Sequence, residues 1–248
     1  MGVPSRSLPA ARPPEPVTLT AWYSHPGAAA PVPAVLLMHG CSGPGRNLPQ
    51  WRGILHEMGY AVLSLDSFGG RGVKEICSDF SRVSEQERQV DAFAALEWLV
   101  ARPEVAGDRI AVVGFSHGGG IALDVAVLPP PAPPGFRAAI AFYPACRPPR
   151  RKSAEYRIPL LILIGEADDW TPVGPCRDLA RLSRGGPIDL RVYPEALHGF
   201  DVGGLAPTLR PGVRNLNSPT GWGSVTGEHP AARAAAIEAV TGFLRARL

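Results

Sequence analysis

Residues 109–120 read RIAVVGFSHGGG, an apolar run that ends at Ser116 between closely spaced glycines. Gly114 to Gly118 form the pattern G-x-S-x-G, placed here between a predicted strand and a predicted helix. The strand must turn sharply into the helix, and the glycines two before and two after the serine remove Cβ atoms that would clash. The stretch therefore predicts a strained turn that presents the Ser116 hydroxyl at the carboxyl edge of a sheet.

Two other interpretations of this stretch stay open at this point. Glycine-rich turns between a strand and a helix are common in α/β folds, and the serine would then only cap the helix. A phosphate-binding loop is disfavoured, because no Lys-Ser or Lys-Thr pair follows as a P-loop requires. Residues further along the chain are needed to choose among these interpretations.

The rest of the chain alternates short apolar runs with helical patterns. Continuous runs such as AVLLM and LLILI lack polar alternation, which is typical of strands buried on both faces. We predict strands over residues 17–23, 34–38, 61–65, 110–115, 138–143, 160–164 and 190–193. We predict helices over residues 48–58, 85–101, 117–128, 175–183 and 231–248. Strand followed by helix, repeated, indicates an α/β fold with a mostly parallel sheet and helices on both faces.

The chain has 248 residues, enough for one sizeable core, so a single domain over residues 17–248 is expected. Residues 1–16 are rich in Pro, Ala and Arg without periodicity and are predicted to be a flexible lead-in. Residues 127–136 are too rich in proline for a helix or strand and predict a surface loop. Residues 201–230 exceed a usual connection, which predicts either a functional loop, such as a lid, or a mobile one.

Composition argues against several classes of protein. The net charge is +3, with no block of five or six cations, which disfavours nucleic-acid binding. No apolar segment approaches the roughly 18 residues of a membrane span. The N-terminus lacks the apolar core of a secretory signal, so we expect a cytoplasmic protein if the chain is complete and a periplasmic or secreted one if a signal was removed. No metal or organic cofactor is expected, and no pattern indicates an oligomeric state.

A serine hydroxyl needs a base, so a carboxylate and then a histidine should follow Ser116 at the ends of later strands. Asp168 and Asp169 come after the apolar run LLILI, and His198 comes after LRVY. Because the carboxyl ends of parallel strands meet at one edge of a sheet, we predict a catalytic triad of Ser116, Asp168 and His198. Asp168 is favoured because it starts the loop, and Asp169 is the alternative acid or a turn-capping residue.

Acyl transfer also needs two N–H donors for the oxygen of the tetrahedral intermediate. The amide of His117, directly after Ser116, is one predicted donor. The amide of Cys41 is the other, because MHGCSG ends an early strand in the His-Gly pattern that often supplies it. The His39 side chain is expected to order this loop by hydrogen bonding.

With these motifs in place, the chain resembles the dienelactone hydrolase family of the α/β-hydrolase superfamily, from about residue 17 to the C-terminus. The resemblance rests on MHGCSG, DSFGGRG at residues 66–72, GFSHGG, GEADDWTP and YPEALHGF. It implies an α/β-hydrolase fold and a serine carboxylesterase that acts on a small-molecule ester or lactone. The alternatives are a serine peptidase of the same fold and a non-catalytic ligand-binding protein on a hydrolase scaffold.

The chain departs from the family pattern in three places. Ser116 stands where dienelactone hydrolase itself carries a cysteine nucleophile, and the Gly40 region lacks its glutamate. DVGG follows Phe200 where an arginine for the substrate carboxylate is expected. These departures favour a general carboxylesterase over an enzyme for an anionic lactone.

Candidate pocket residues are Phe68, Arg71, Trp170 and Phe200, which lie in the loops around the predicted site. Core or surface packing is the alternative for Trp170. Arg71 is either a contact for an anionic group or a residue that orders its own loop.

The four cysteines are too far apart along the chain for a CxxC zinc or redox motif. Within the fold that the resemblance implies, Cys146 and Cys176 follow adjacent predicted strands, so a disulfide between them is conceivable. Cys41 could likewise meet Cys77 across the same edge. Free buried thiols are the equal alternative, because sequence alone does not give the Cα separation that a disulfide needs.

Overall fold

The computed structural model of the protein describes residues 2–4, 16–147 and 154–248. The strands are β1 Gly2–Pro4, β2 Thr18–Ser24, β3 Val32–Met38, β4 Ala61–Asp66, β5 Val105–Phe115, β6 Ala138–Phe142, β7 Glu155–Tyr156, β8 Leu160–Gly165, β9 Arg184–Gly185, β10 Ile188–Tyr193, β11 Thr208–Arg214 and β12 Trp222–Thr226. The helices are α1 Asn47–Glu57, α2 Glu85–Val100, α3 His117–Val125, α4 Val173–Leu182 and α5 Pro230–Arg245, with a 3₁₀ turn at Gly69–Arg71. Every strand and helix predicted from the apolar pattern is present within a few residues of its predicted bounds.

Eight strands form one sheet in the order β1-β2-β4-β3-β5-β6-β8-β10. The six strands from β4 to β10 in this order run parallel, and β2 joins β4 antiparallel. Successive residues of β6 and β8 are all buried, so both faces of these strands are covered. The predicted α/β architecture with a mostly parallel sheet is confirmed.

Local sequence signals set the helix starts. Ser84 and Glu87 form a capping box at the start of α2, in which the serine hydroxyl accepts from Glu87 N–H and the glutamate carboxylate accepts from Ser84 N–H. Pro230 is the first residue of α5, where a missing N–H costs nothing. Both helices therefore begin where the chain itself supplies a start signal.

The N-terminal segment is described only in part. Gly2–Pro4 pair with β2 as an antiparallel edge strand, at a place where composition predicts a flexible lead-in. An edge strand of this kind rests on main-chain hydrogen bonds, which composition does not encode. Residue 1 and residues 5–15 of the predicted lead-in lie outside the described residues. The proline-rich segment 127–136 forms a connection without helix or strand, as predicted.

Residues 201–230 contain an antiparallel pair of strands, β11 and β12, where we predicted a functional loop or a mobile one. We call residues 208–226 the two-stranded insert. Gly221, directly before β12, and Gly223, within β12, have φ values of 75° and 83°, which glycine adopts without strain. The Asn215 side-chain amide donates to the main-chain oxygen of Asp169 at 3.2 Å, which anchors the insert on the loop after β8.

Candidate active site

Ser116 occupies the turn between β5 and α3. Its backbone has φ 53° and ψ −115°, a conformation that costs a non-glycine residue about 1–3 kcal/mol. A Cβ atom on Gly114 would collide with the main chain of Gly118, and one on Gly118 would collide with the main chain of Met38. Close main-chain contacts therefore require glycine on both sides of Ser116, as the G-x-S-x-G pattern predicts.

His198 lies between Ser116 and Asp168 at the carboxyl edge of the sheet. Its Nε2 is 2.9 Å from Ser116 Oγ, and its Nδ1 is 2.8 Å from Asp168 Oδ2. When Nδ1 donates to the carboxylate, Nε2 is left to accept the serine proton. His198 and Asp168 are both buried. The structure thus brings together the three residues that the sequence predicts as a triad.

The two neighbouring acids have different partners. Asp168 Oδ1 accepts from the main-chain N–H groups of Trp170 and Thr171, at 2.9 and 2.8 Å, which holds its carboxylate toward His198. Asp169 Oδ1 instead accepts from Ser224 Oγ at 2.6 Å, on the two-stranded insert. Of the two predicted candidates, Asp168 is the one that contacts the histidine.

A buried tyrosine packs against His198 and donates a hydrogen bond to a buried aspartate, and neither residue was predicted from the sequence. The Tyr143 hydroxyl donates to Asp201 Oδ1 at 2.6 Å, and Trp51 Nε1 donates to Asp201 Oδ2 at 2.8 Å. The Tyr143 ring packs on the His198 imidazole with centroids 4.5 Å apart. Burial raises the pKa of Asp201 and raises the pKa of Tyr143 well above its ordinary value. The tyrosine therefore stays a neutral donor that packs against the imidazole.

The two predicted oxyanion donors flank Ser116. Cys41 follows β3, and His117 is the first residue of α3, in the turn whose N–H groups have no acceptor within the helix. Gly40 lies against the turn, since a Cβ atom there would be 3.4 Å from Phe115 O and from Ser116 Cβ. The loop after β3 therefore runs directly beside the serine.

His39 orders this loop, as the sequence predicts. Its Nδ1 lies 2.7 Å from Gly40 O, and its Nε2 accepts from the main-chain N–H of Ser67 at 3.1 Å. Burial, together with the charge of Arg88, lowers the pKa of His39 well below its ordinary value. A neutral ring that donates through Nδ1 and accepts through Nε2 fits both contacts.

Arg88 is a buried cation that joins the two loops, and no motif in the sequence indicated it. Its Nη1 donates to His117 Nδ1 at 2.7 Å, and its Nη2 donates to His39 O at 2.7 Å. Its guanidinium lies 5.0 Å from the centre of the Phe68 ring. Burial lowers the pKa of Arg88 to about 10, which still leaves it charged at neutral pH. Arg88 therefore ties the segment before Cys41 to the start of α3.

The cysteines form two disulfides, Cys41–Cys77 and Cys146–Cys176, with Cα separations of 4.9 and 5.0 Å. The alternative of free buried thiols is therefore wrong. Cys41 and Cys146 both lie beside Ser116 in the wall of one cavity. Each disulfide thus ties a loop that borders the serine to a second segment of the chain.

Two of the predicted pocket residues belong to the core instead. Phe68 is 1% exposed and packs edge-on against His39, with ring centroids 4.4 Å apart. Phe200 is fully buried against the rings of Phe142, Tyr143 and Tyr193. Their loops do pass the site, but the apolar rings gain more by packing inward than by facing a cavity.

Arg71 borders neither described cavity, so its prediction as a pocket residue is wrong. It forms a bidentate pair with Asp91, through distances of 2.8 and 2.9 Å, and donates to Ser67 O at 2.6 Å. A guanidinium that makes these three hydrogen bonds orders its own loop, which was the alternative predicted for Arg71. Trp170, the fourth candidate, does line the cavities at Ser116.

Two cavities open on Ser116, and Cys41 and Trp170 also border both. The first cavity, of about 460 Å³, lies between the loops after β6 and β8 and the two-stranded insert. The second cavity, of about 390 Å³, runs along the loop after β3 and is bordered by His198. Both volumes are within the roughly 300–1,000 Å³ usual for small-molecule sites.

Across the described ranges, no cluster of three or more His, Cys, Asp or Glu side chains is arranged to hold a metal ion. No helix in the same part of the chain combines the length and apolar character needed to cross a membrane.

The sequence pattern of the dienelactone hydrolase family matches residues 19–248. The chain belongs to the dienelactone hydrolase family. This family member is 31% identical over 175 residues to an uncharacterized protein of Mycobacterium tuberculosis strain H37Rv. That match covers 62% of this chain and 59% of the relative, so it spans under two thirds of the relative's length.

Solved structures share the fold of this dienelactone hydrolase family member at low sequence identity. A putative dienelactone hydrolase from Klebsiella pneumoniae has a TM-score of 0.70 and 16% identity, and the match covers 99% of each chain. Esterase 2 of Thermogutta terrifontis has a TM-score of 0.66 and 18% identity, with 98% of this chain and 93% of that chain covered. Family membership and fold together place the protein in the α/β-hydrolase superfamily.

Proposed function

We propose that this protein is a serine esterase that cleaves carboxylic esters through an acyl-enzyme on Ser116. The observation that carries the proposal is the continuous chain of hydrogen bonds from Ser116 Oγ through His198 to Asp168. An activated serine of this kind is what acyl transfer requires. Esterases among the solved structures of the same fold support the choice of esters as substrates.

The first half of the reaction transfers the acyl group to Ser116. Ser116 Oγ forms a bond to the acyl carbon while its proton passes to His198 Nε2, and the carbonyl electrons move onto the oxygen. The main-chain N–H groups of Cys41 and His117 then donate to this oxyanion. Asp168 accepts from Nδ1 and stabilises the imidazolium. As the carbonyl reforms, the bond to the alcohol oxygen breaks, and His198 returns its proton to the departing alcohol.

The second half of the reaction releases the acid. Water forms a bond to the acyl carbon while His198 takes one of its protons, and the same two N–H groups hold the second oxyanion. The bond from the acyl carbon to Ser116 Oγ then breaks, and the serine recovers a proton from His198. The carboxylic acid leaves, and the enzyme returns to its starting state.

Intact-mass measurement after treatment with a fluorophosphonate probe tests this proposal. We expect a single adduct, together with release of p-nitrophenol from p-nitrophenyl butyrate by the same sample. Peptide p-nitroanilides run in parallel test the peptidase alternative. Faster cleavage of the anilides than of the ester would overturn the assignment as an esterase. A protein without adduct or turnover would overturn the proposal in favour of a non-catalytic scaffold.

Arg88→Lys is expected to lower kcat about tenfold with little change in KM, because one ammonium group cannot hold both loops that carry the oxyanion donors. Arg88 acts here as a positioning residue, so its loss should affect the transition state more than substrate binding. Arg71→Lys is the control, since Arg71 is a largely buried arginine that pairs with Asp91 of α2 but does not contact the turn at Ser116. Steady-state kinetics and thermal unfolding of both variants check the prediction, and a folded Arg88→Lys protein with the kcat of the wild type would contradict it.

A further inference from the structure

The two cavities meet at Ser116 but differ in their relation to His198. His198 borders the second cavity, together with Gly199 and the loop after β3. The described wall of the first cavity includes Ser116 and His117 but not His198. A planar ester held at the serine has one branch on either side of the carbonyl carbon, so its two branches must enter different cavities.

The proposed chemistry decides which branch enters which cavity. His198 must return a proton to the oxygen of the leaving alcohol, so this oxygen has to lie within hydrogen-bond reach of Nε2. The alcohol therefore extends into the second cavity, which His198 borders. The acyl group, on the opposite side of the carbon, is left with the first cavity.

The first cavity has a mostly apolar wall. Its apolar surface comes from Phe80, Cys146, Trp170, Pro172, Pro175 and Leu216, and the charged side chains of Glu85, Arg147 and Arg214 also border it. Leu216 is 72% exposed and Phe80 is 38% exposed, so both side chains offer apolar surface to a ligand in this cavity. Its volume of about 460 Å³ exceeds what an acetyl group fills. This wall fits a medium-length or aromatic acyl group.

The second cavity has a more polar wall that disfavours an apolar chain. Arg46 and Arg210 both border it, and the described wall includes no Asp or Glu. Arg210 donates to the Ser42 hydroxyl at 3.0 Å and lies over the Trp170 ring. Arg46 donates to Gly204 O at 3.3 Å. Because a smaller share of this wall is apolar than in the first cavity, an apolar chain gains less by entering the second cavity.

We infer that the enzyme is specific for esters of an apolar acid, with the acyl chain in the first cavity against Leu216 and a small or polar alcohol in the second. This inference rests on the proposed function, because it uses His198 as the acid that protonates the alcohol. It also assigns Leu216, on the two-stranded insert, as a residue that sets acyl-chain preference.

A pair of isomeric esters tests the inference directly. Ethyl hexanoate and hexyl acetate have the same atoms and nearly the same hydrophobicity, but they carry the long chain on opposite sides of the carbonyl. Each buried methylene corresponds to about a fourfold gain in kcat/KM. We therefore expect kcat/KM for ethyl hexanoate to exceed that for hexyl acetate about tenfold or more, measured as acid release in a pH-stat. Equal values, or a preference for hexyl acetate, would overturn the assignment of the cavities.

Two matched variants test where the acyl chain of the substrate binds. Leu216→Gln introduces a polar group at the rim of the first cavity and, being uncharged, does not form an ion pair with Arg147 or Arg214 in the same wall. We expect it to lower the preference for ethyl hexanoate about threefold or more. Leu209→Gln makes the same change on β11, at a side chain that is 62% exposed and lies outside both described walls. It should keep the wild-type preference, and an equal loss in both variants would contradict the role of Leu216.

The same experiment separates failure of the inference from failure of the proposed function. Turnover of p-nitrophenyl butyrate and a fluorophosphonate adduct, without a preference between the isomeric esters, would overturn the inference and leave the esterase in place. Absence of the adduct and of all ester turnover would overturn both.

Discussion

Ser116→Ala is expected to lower ester turnover by about 10⁵-fold or more, because it removes the oxygen that forms the acyl-enzyme while leaving the rest of the site in place. The fluorophosphonate adduct should disappear with it. Turnover is measured as p-nitrophenol release by purified protein, and the adduct by intact mass. A variant that keeps wild-type turnover would contradict the proposed mechanism.

The backbone at Ser116 offers a control that separates chemistry from folding. Alanine retains the strain of the positive φ of 53°, whereas glycine relieves it. Ser116→Gly should therefore be as inactive as Ser116→Ala but more stable, by about 1 kcal/mol in the free energy of unfolding. Denaturant unfolding of the two variants measures this difference. Equal stabilities would contradict the strain that we assign to the turn.

Asp168→Asn is expected to lower kcat by about 10³–10⁴-fold. The asparagine amide donates where the aspartate accepts, so it favours the His198 tautomer that cannot take the serine proton, and it no longer stabilises the imidazolium. Oδ1 of the asparagine still accepts from the main-chain N–H groups of Trp170 and Thr171, so the loop should keep its conformation. Steady-state kinetics with p-nitrophenyl butyrate, beside a thermal melt, measure both effects.

Asp169→Asn is the matched control, since it makes the same isosteric change one residue away. Asp169 contacts Ser224 on the two-stranded insert rather than the histidine, so we expect kcat to stay within about threefold of the wild type, or about 0.7 kcal/mol of barrier. The reverse ranking of the two variants would move the acid to Asp169. Small losses in both would mean that His198 works without a carboxylate partner.

The order of the elements was predictable because its causes are local. Apolar runs without alternation, bounded by Gly, Pro or Asp, predicted the parallel strands within a few residues of their bounds. The turn at Ser116 was predictable for the same reason, since Gly114 and Ser116 to Gly118 lie within five positions of one another. Parallel strands also share a carboxyl edge, so the order Ser116, Asp168, His198 indicated that these side chains would meet.

The cavity walls were not predictable in the same way. Phe68 and Phe200 lie in loops next to the site, yet both rings pack into the core, and Arg71 pairs with Asp91. Pro219 and Gly221 marked the turn of the two-stranded insert, but Pro211, Gly212 and Gly223 lie within its strands, and nothing local indicated that these strands would pair. In each case the outcome depends on a partner far along the chain.

Sequence alone therefore determined the α/β architecture, the strained turn and the family of this protein, because these follow from steric rules and periodicities that act over a few residues. Only the tertiary structure decided the disulfide pairing, the link that Arg88 makes between the two loops at Ser116, and the different walls of the two cavities. These features depend on distances between segments that are remote in sequence. Such distances arise from the packing of the whole core, which no short stretch of residues encodes.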